Sequence, residues 1–214
     1  MILKQLEIMR KNLYQFHGVG IASVQCAEIL KPLKIVIVGT NDNSNLSVPN
    51  QRYPDYLIPN EQVLINPKIT FFEGAYYPIT GEGCLSVEGN IRGQVKRYKK
   101  IKVEYFDENG LFHKEELKDM KAHIAQHELD HLEGKVYLQI ILMKLTNNQK
   151  KEVENILDEV INRPSKEIQK NNNPILSFIK SEAQGVIVDK TLLKKAALSS
   201  PVEILKRILN EIKK

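Results

Sequence analysis

His127-Glu128-Leu129-Asp130-His131 constrains this chain more than any other five residues in it. Two imidazoles four residues apart project from one face of a helix, so both can reach one ion. Glu128 follows the first histidine and would lie beside the ion rather than on it, where a carboxylate can handle a proton. Leu129 is apolar, as suits a helix that buries its other side. The ordinary alternative is a pair of solvated helical histidines, because three fixed residues in five sometimes arise by chance. The third ligand therefore decides what this motif means.

One class of site fails at once. Metzincins take their third ligand from H-E-x-x-H-x-x-G-x-x-H. Gly134 stands at that glycine, but Tyr137 occupies the histidine position. A thermolysin-like site takes a downstream glutamate, and counting alone leaves Glu152 and Glu154 open. Cys84 competes with them, in Gly81-Glu82-Gly83-Cys84-Leu85-Ser86, where small residues let backbone come close to a bound group. Two histidines and a cysteine would leave a fourth position for water, the mark of a catalytic metal site. Further upstream, Gly18-Val19-Gly20-Ile21-Ala22-Ser23-Val24-Gln25 alternates small with apolar residues. Read alone it is a tight turn entering a buried strand. It could equally lay backbone amides along a substrate, with Gln25 offering a side-chain N–H.

Taken in order, the three segments Gly18–Gln25, Glu82–Ser86 and Gln126–His131 closely resemble the signature motifs of peptide deformylases. Val63-Leu64-Ile65-Asn66-Pro67 and Leu132-Glu133-Gly134 are similar to that family as well, and the resemblance runs over about residues 5 to 145. It implies a hydrolase that removes the formyl group from the N-terminal methionine of nascent chains and releases formate. It implies Cys84, His127 and His131 as metal ligands and Glu128 as the proton carrier. The Gln25 side chain and the Leu85 backbone N–H would stabilise the oxyanion, while Val19 and Gly20 would contact the substrate. It also implies Fe²⁺ as the ion, with Zn²⁺, Ni²⁺ or Co²⁺ able to replace it; generic Cys/His₂ ligation by itself suits zinc. The chain departs from the family pattern at Ser23, where alanine is usual, and at Glu88-Gly89-Asn90, where a Pro-Gly turn is common. Its N-terminus is expected to lack a first strand. Arg92 reads as a substrate clamp or a solvated arginine, and Asp130 and Glu82 as orienting partners or surface carboxylates. His123 reads as lining a pocket or facing solvent, His17 and His113 as surface residues, and Cys26 as a small core residue.

Two other classes compete with this reading. One is another Cys/His₂ amidase or a zinc peptidase. The other is a ribosome-binding adaptor with a vestigial catalytic core, which the charge distribution motivates. Residues 1–139 carry seventeen Lys/Arg and seventeen Asp/Glu, while residues 140–214 carry fourteen and nine, so the net +5 sits in the C-terminal third. Basic C-terminal helices could dock an active enzyme on the ribosome. No apolar run approaches the roughly 18 residues of a membrane span. Neither a membrane nor a specific DNA partner is expected. A metal-ligating thiolate requires a reduced Cys84, which points to the cytoplasm.

The coarse element pattern supports an α+β class: short antiparallel strands packed around a central metal-binding helix, with a helical C-terminal extension. Helices are expected over Ile2–Phe16 and Asp119–Glu133, the latter stopped by Gly134. Strands are expected at Ile35–Val38, Val63–Asn66, Ile69–Phe72, Lys102–Phe106 and Leu111–Glu116, the last two joined at Asn109-Gly110. Residues 40–62 form a long irregular excursion that includes Pro49-Asn50-Gln51-Arg52-Tyr53-Pro54. A catalytic domain over 1–147 would be followed by a basic extension over 148–214. In that extension an amphipathic helix ends near Pro164, a linker follows to Pro174, and Ser200-Pro201-Val202-Glu203 caps a last helix.

Overall fold

Ile35-Val36-Ile37-Val38 shows how the sheet is sandwiched. All four residues are buried, and their side chains alternate between two cores. The computed structural model describes residues 1–16, 18–39, 61–79, 81–87, 92–142, 144–162, 179–182 and 185–188, with 206, 209, 210, 212 and 213 near the C-terminus. The described chain forms two compact units, one of residues 1–76 and 97–135, the other of 77–96 and 136–214.

The first unit is built on five antiparallel strands in sequence order: β1 (Gly20–Ala22), β2 (Ile35–Val38), β3 (Gln62–Tyr76), β4 (Arg97–Phe106) and β5 (Phe112–Lys118). On one face, Leu6, Met9 and Leu13 of helix α1 (Ile2–Gln15) pack with Ile35, Ile37, Val63 and Ile65. On the other, Ala122, Ile124 and Ala125 of helix α2 (Asp119–Leu132) pack with Val36, Val38, Leu64, Ile101, Val103 and Leu117. Fully burying such an aliphatic side chain contributes about 1.5–3 kcal/mol. Along β4 and β5 the face opposite α2 is charged, and its pairs Lys114–Glu104 (2.8 Å) and Lys118–Glu116 (3.0 Å) are solvated.

The two strands expected at Val63–Asn66 and Ile69–Phe72 are one fifteen-residue strand. Its pairing with β4 slips between Ile65 and Lys68 and again between Ile69 and Phe71, and Asn66 takes φ +52° before Pro67. A proline that cannot donate to the ladder is carried by these irregularities without ending the strand. The β4–β5 turn is tied by Asp107, whose Oδ1 accepts the N–H groups of Asn109 and Leu111 at 2.9 Å each. Gly110 there has φ +80°.

In the second unit, helices α3 (Tyr137–Leu142) and α4 (Asn147–Ile161) share a core of Tyr137, Ile141, Leu142, Val153 and Leu157. Thr146 and Gln149 cap α4 reciprocally, Thr146 N–H donating to Gln149 Oε1 (2.9 Å) and Gln149 N–H to Thr146 Oγ1 (3.3 Å). Leu209 and Ile212 bury into the same core. The extension is not all helical: β6 (Ile179–Glu182) and β7 (Gly185–Val188) pair as an antiparallel hairpin. The β-branched Val186-Ile187-Val188 of β7 suits a strand, and a run of that length carries no helical period. The excursion over 40–60, the turn at 88–90, His17, the linker after Pro164 and the cap at Ser200 lie outside the described residues.

Candidate metal centre

Helix α2 is held at both ends by backbone features that fix where its histidines fall. Asp119 takes φ +49°, so the chain passes from β5 into the helix with no intervening loop. At the far end Gly134 has φ +71°; its N–H donates to the His131 carbonyl and that of Lys135 to the Asp130 carbonyl, both at 2.9 Å. That pair of bonds is the Schellman arrangement, which a glycine in the left-handed region permits. The helix therefore stops at Leu132, one residue after its second histidine.

Between these ends, His127 and His131 are buried, with ring centroids 4.9 Å apart and planes at 87°. Glu128 is buried beside them. Gly20 of β1 passes directly over this carboxylate: a Cβ there would stand 2.5 Å from Ile124 Cγ2 and 2.6 Å from Glu128 Oε1. The small residue noted in the first motif is thus required by close approach to α2. After β1 the chain makes a single 3₁₀ turn over Ser23–Gln25, and the Ala22 N–H donates to Gln25 Oε1 at 2.7 Å. With its oxygen so engaged, the Gln25 amide turns its NH₂ as the donating end.

Cys84 lies in a loop pinched by an antiparallel bridge. Glu82 N–H donates to the Gly93 carbonyl at 2.7 Å, and Gly93 N–H to the Glu82 carbonyl at 2.9 Å. Gly81, at φ +65°, meets the Gly93 backbone so closely that a Cβ would fall within 3.0 Å of it. Arg92 donates to the Gly81 carbonyl at 2.6 Å, which makes it a brace of this loop. Cys84 is buried, and its Sγ accepts the Ser86 N–H at 3.4 Å, a contact that suits a negatively charged sulfur. Leu85, next in the chain, is exposed. Among the described residues, the group of side chains able to hold a metal ion is Cys84, His127 and His131, with one ligand atom of each within 4.8 Å of the others. A thiolate with two imidazoles suits a first-row divalent ion and leaves a coordination position to spare.

A family profile described as Polypeptide deformylase matches residues 1–147. The chain belongs to the polypeptide deformylase family. Peptide deformylases of Leptospira biflexa and Streptococcus gordonii are similar to it, at 38% identity over 137 residues and 34% over 128. The matched stretches cover 63% and 59% of this chain, and 69% and 60% of those relatives. A Met-Ala-Ser-bound class I type b peptide deformylase from Acinetobacter baumannii superposes with a TM-score of 0.54 at 33% identity, over 64% of this chain and 79% of that one. The deformylase motifs thus fall within the matched region.

Other residues weighed from the sequence find definite surroundings. His123, one turn before His127, is buried and lies 2.9 Å through Nδ1 from the Tyr76 hydroxyl; it is outside the metal-holding group. Asp130 receives Arg97 at 2.6 Å. Glu82 and Cys26 are buried, and His113 is half-exposed beside Asp107. Sequence reasoning passed over Arg97, Tyr76 and the role of Gln126. Gln126 stood in the quoted motif, but nothing in the spacing showed what its amide would meet.

Proposed function

We propose that this deformylase-family chain hydrolyses the N-formyl group of N-terminal methionine on nascent polypeptides, releasing formate, with Cys84, His127 and His131 holding one divalent ion. The buried thiolate–imidazole donor group carries this reading. When bound, the ion supplies Lewis acidity toward water and the formyl carbonyl. Glu128 accepts the proton of the attacking water and returns it to the departing amine. The Gln25 NH₂ and the Leu85 N–H donate to the developing oxyanion, each such donor contributing on the order of 3 kcal/mol. Val19 and Gly20 lie along the substrate, Gly20 through its backbone. Residues 1–147 form the catalytic region and 148–214 the basic extension.

Fe²⁺ is the ion assigned, on the strength of the family resemblance; the donor chemistry is equally suited to Zn²⁺. Neither Cys26 nor Cys84 is in a disulfide, which favours a reducing compartment such as the cytoplasm. Among the described residues no helix is long and apolar enough to cross a membrane. At the C-terminus Leu209 and Ile212 are buried while Lys206 and Lys213 are exposed, Lys213 lying 3.8 Å from Asp158, and exposed lysines suit a ribosomal RNA partner. Lys206→Glu with Lys213→Glu in the full chain should weaken ribosome co-sedimentation and flatten its salt dependence; unchanged sedimentation removes that part of the proposal.

The main test is anaerobic purification with elemental analysis, followed by formate release from a formyl-Met peptide. Wild type releases formate, and Glu128→Gln retains its ion but loses about 10²–10⁴-fold in rate. An ion-loaded wild type that releases no formate overturns the assignment.

A further inference from the structure

At Tyr98 the sheet runs short of a strand, and a side chain takes its place. The pairing of β5 with β4 ends at Lys118 opposite Lys100, after which the chain turns into α2. Tyr98 lies two residues beyond that last pair, opposite Ala75 of β3 on its other side. The N–H and C=O of one residue in an extended strand point the same way, so both need partners where the next strand would have been. Gln126 supplies both. Tyr98 N–H donates to its Oε1 at 3.0 Å, and its Nε2 donates to the Tyr98 carbonyl at 2.9 Å. The same Nε2 lies 2.9 Å from the Ala122 carbonyl, one turn back on the helix.

An amide bound at both ends to one backbone residue fixes more than a distance. It sets the rotation of α2 about its own axis relative to β4. Gln126 immediately precedes His127 and Glu128, so a slip of that rotation swings the imidazole and the carboxylate together. On the β1 side the close fit of Gly20 against Ile124 and Glu128 constrains the same rotation. Polar partners that orient ligands typically change metal affinity about 10–100-fold when removed.

We propose that Gln126 is a positioning residue for the metal centre: its amide stands in for the missing strand at Tyr98 and thereby aims His127. This rests on the metal-site reading above. The test is Co²⁺ titration of the full-length apoprotein against a competing chelator, reading the thiolate-to-cobalt absorption band and the d–d intensity. Four proteins are compared: wild type, Gln126→Met, Gln126→Glu and Leu117→Ala. Leu117 is buried in the same core but lies apart from the Gln126 bonds, so its variant reports what lost stability alone does. Gln126→Met should bind Co²⁺ about 10–100-fold more weakly with altered d–d intensity, and Gln126→Glu, which still accepts from Tyr98 but sets an oxygen against the Tyr98 and Ala122 carbonyls, should also bind more weakly. Leu117→Ala should melt earlier yet bind Co²⁺ within about twofold of wild type, since its ligand orientation is intact. Wild-type affinity in a folded Gln126→Met overturns the proposal, as does an equal loss in Leu117→Ala. If Gln126→Met does not fold, wild-type affinity and spectrum in Gln126→Glu overturn it. Absence of Co²⁺ binding by wild type defeats the metal reading itself, and this inference with it.

Discussion

Arg97 and Asp130 form a 2.6 Å ion pair of unequal depth: the arginine side chain is 5% exposed and the aspartate 23%. Arg97 begins β4, and Asp130 directly precedes His131 on α2, so the pair ties the sheet to the helix beside the second imidazole. A charge-assisted bond at this depth should couple more strongly than a surface pair. A double-mutant cycle on Arg97→Met and Asp130→Asn, followed by urea unfolding, should return about 2 kcal/mol of coupling. The same cycle on Lys114 and Glu104, 2.8 Å apart but with the lysine 70% exposed, should return at most about 0.5 kcal/mol. Equal coupling in the two cycles would show that depth contributes nothing here.

Gly20→Ala brings a methyl group into the space of the proposed proton carrier. Its Cβ would lie 2.5 Å from Ile124 Cγ2 and 2.6 Å from Glu128 Oε1, closer than real contacts allow, so the Ile124 and Glu128 side chains must shift. A displacement of about 1 Å at a reacting group can cost on the order of 10²-fold in rate. Formate release should fall by that factor, while Co²⁺ binding, which does not use Glu128, is largely kept. Full activity in the alanine variant would mean that β1 does not constrain the carboxylate.

Much of this was legible in the residues, for reasons that separate cleanly. The helix over Asp119–Leu132 and its stop at Gly134 follow from local pattern, because helix ends are set by nearby backbone chemistry. Cys84 joined the histidines only through the family resemblance, since the spacing left Glu152 and Glu154 open. What escaped was what depends on partners far apart in sequence. Arg97 and Asp130 are 33 residues apart, and Gln126 meets Tyr98 across 28. No local period signals such contacts. The continuity of β3 through Pro67 was missed for a related reason: proline argues against a strand unless the neighbouring strand can slip to carry a bulge.

Asp107 gives a pH dependence whose sign follows from its partners. The His113 ring, at 2.9 Å, and the backbone N–H groups of Leu111 and Asn109 hold its carboxyl below the ordinary value of 3.8. A carboxylate whose folded pKa is depressed stabilises the fold above its unfolded pKa, and that contribution fades as pH falls through the lower folded value. An NMR titration of the Asp107 carboxyl carbon should therefore show a midpoint below 3.8, and His113→Ala should move it upward. A midpoint unmoved in the variant would leave the backbone bonds as the whole cause.

Gln25 separates holding an amide from using it. Ala22 N–H binds its oxygen at 2.7 Å, which leaves donation to the NH₂ end. Gln25→Glu keeps an acceptor for Ala22 but presents a carboxylate with nothing to donate, and adds negative charge where an oxyanion develops. Gln25→Met loses both functions without adding charge. If the amide stabilises the transition state, both variants should lose kcat by about 10²–10³-fold, with Gln25→Glu the worse of the two and Co²⁺ still bound by each. If Gln25 merely shapes the turn, Gln25→Glu should stay close to wild type and Gln25→Met should suffer. Ranking the two kcat values against formyl-Met peptide therefore decides between donor and brace.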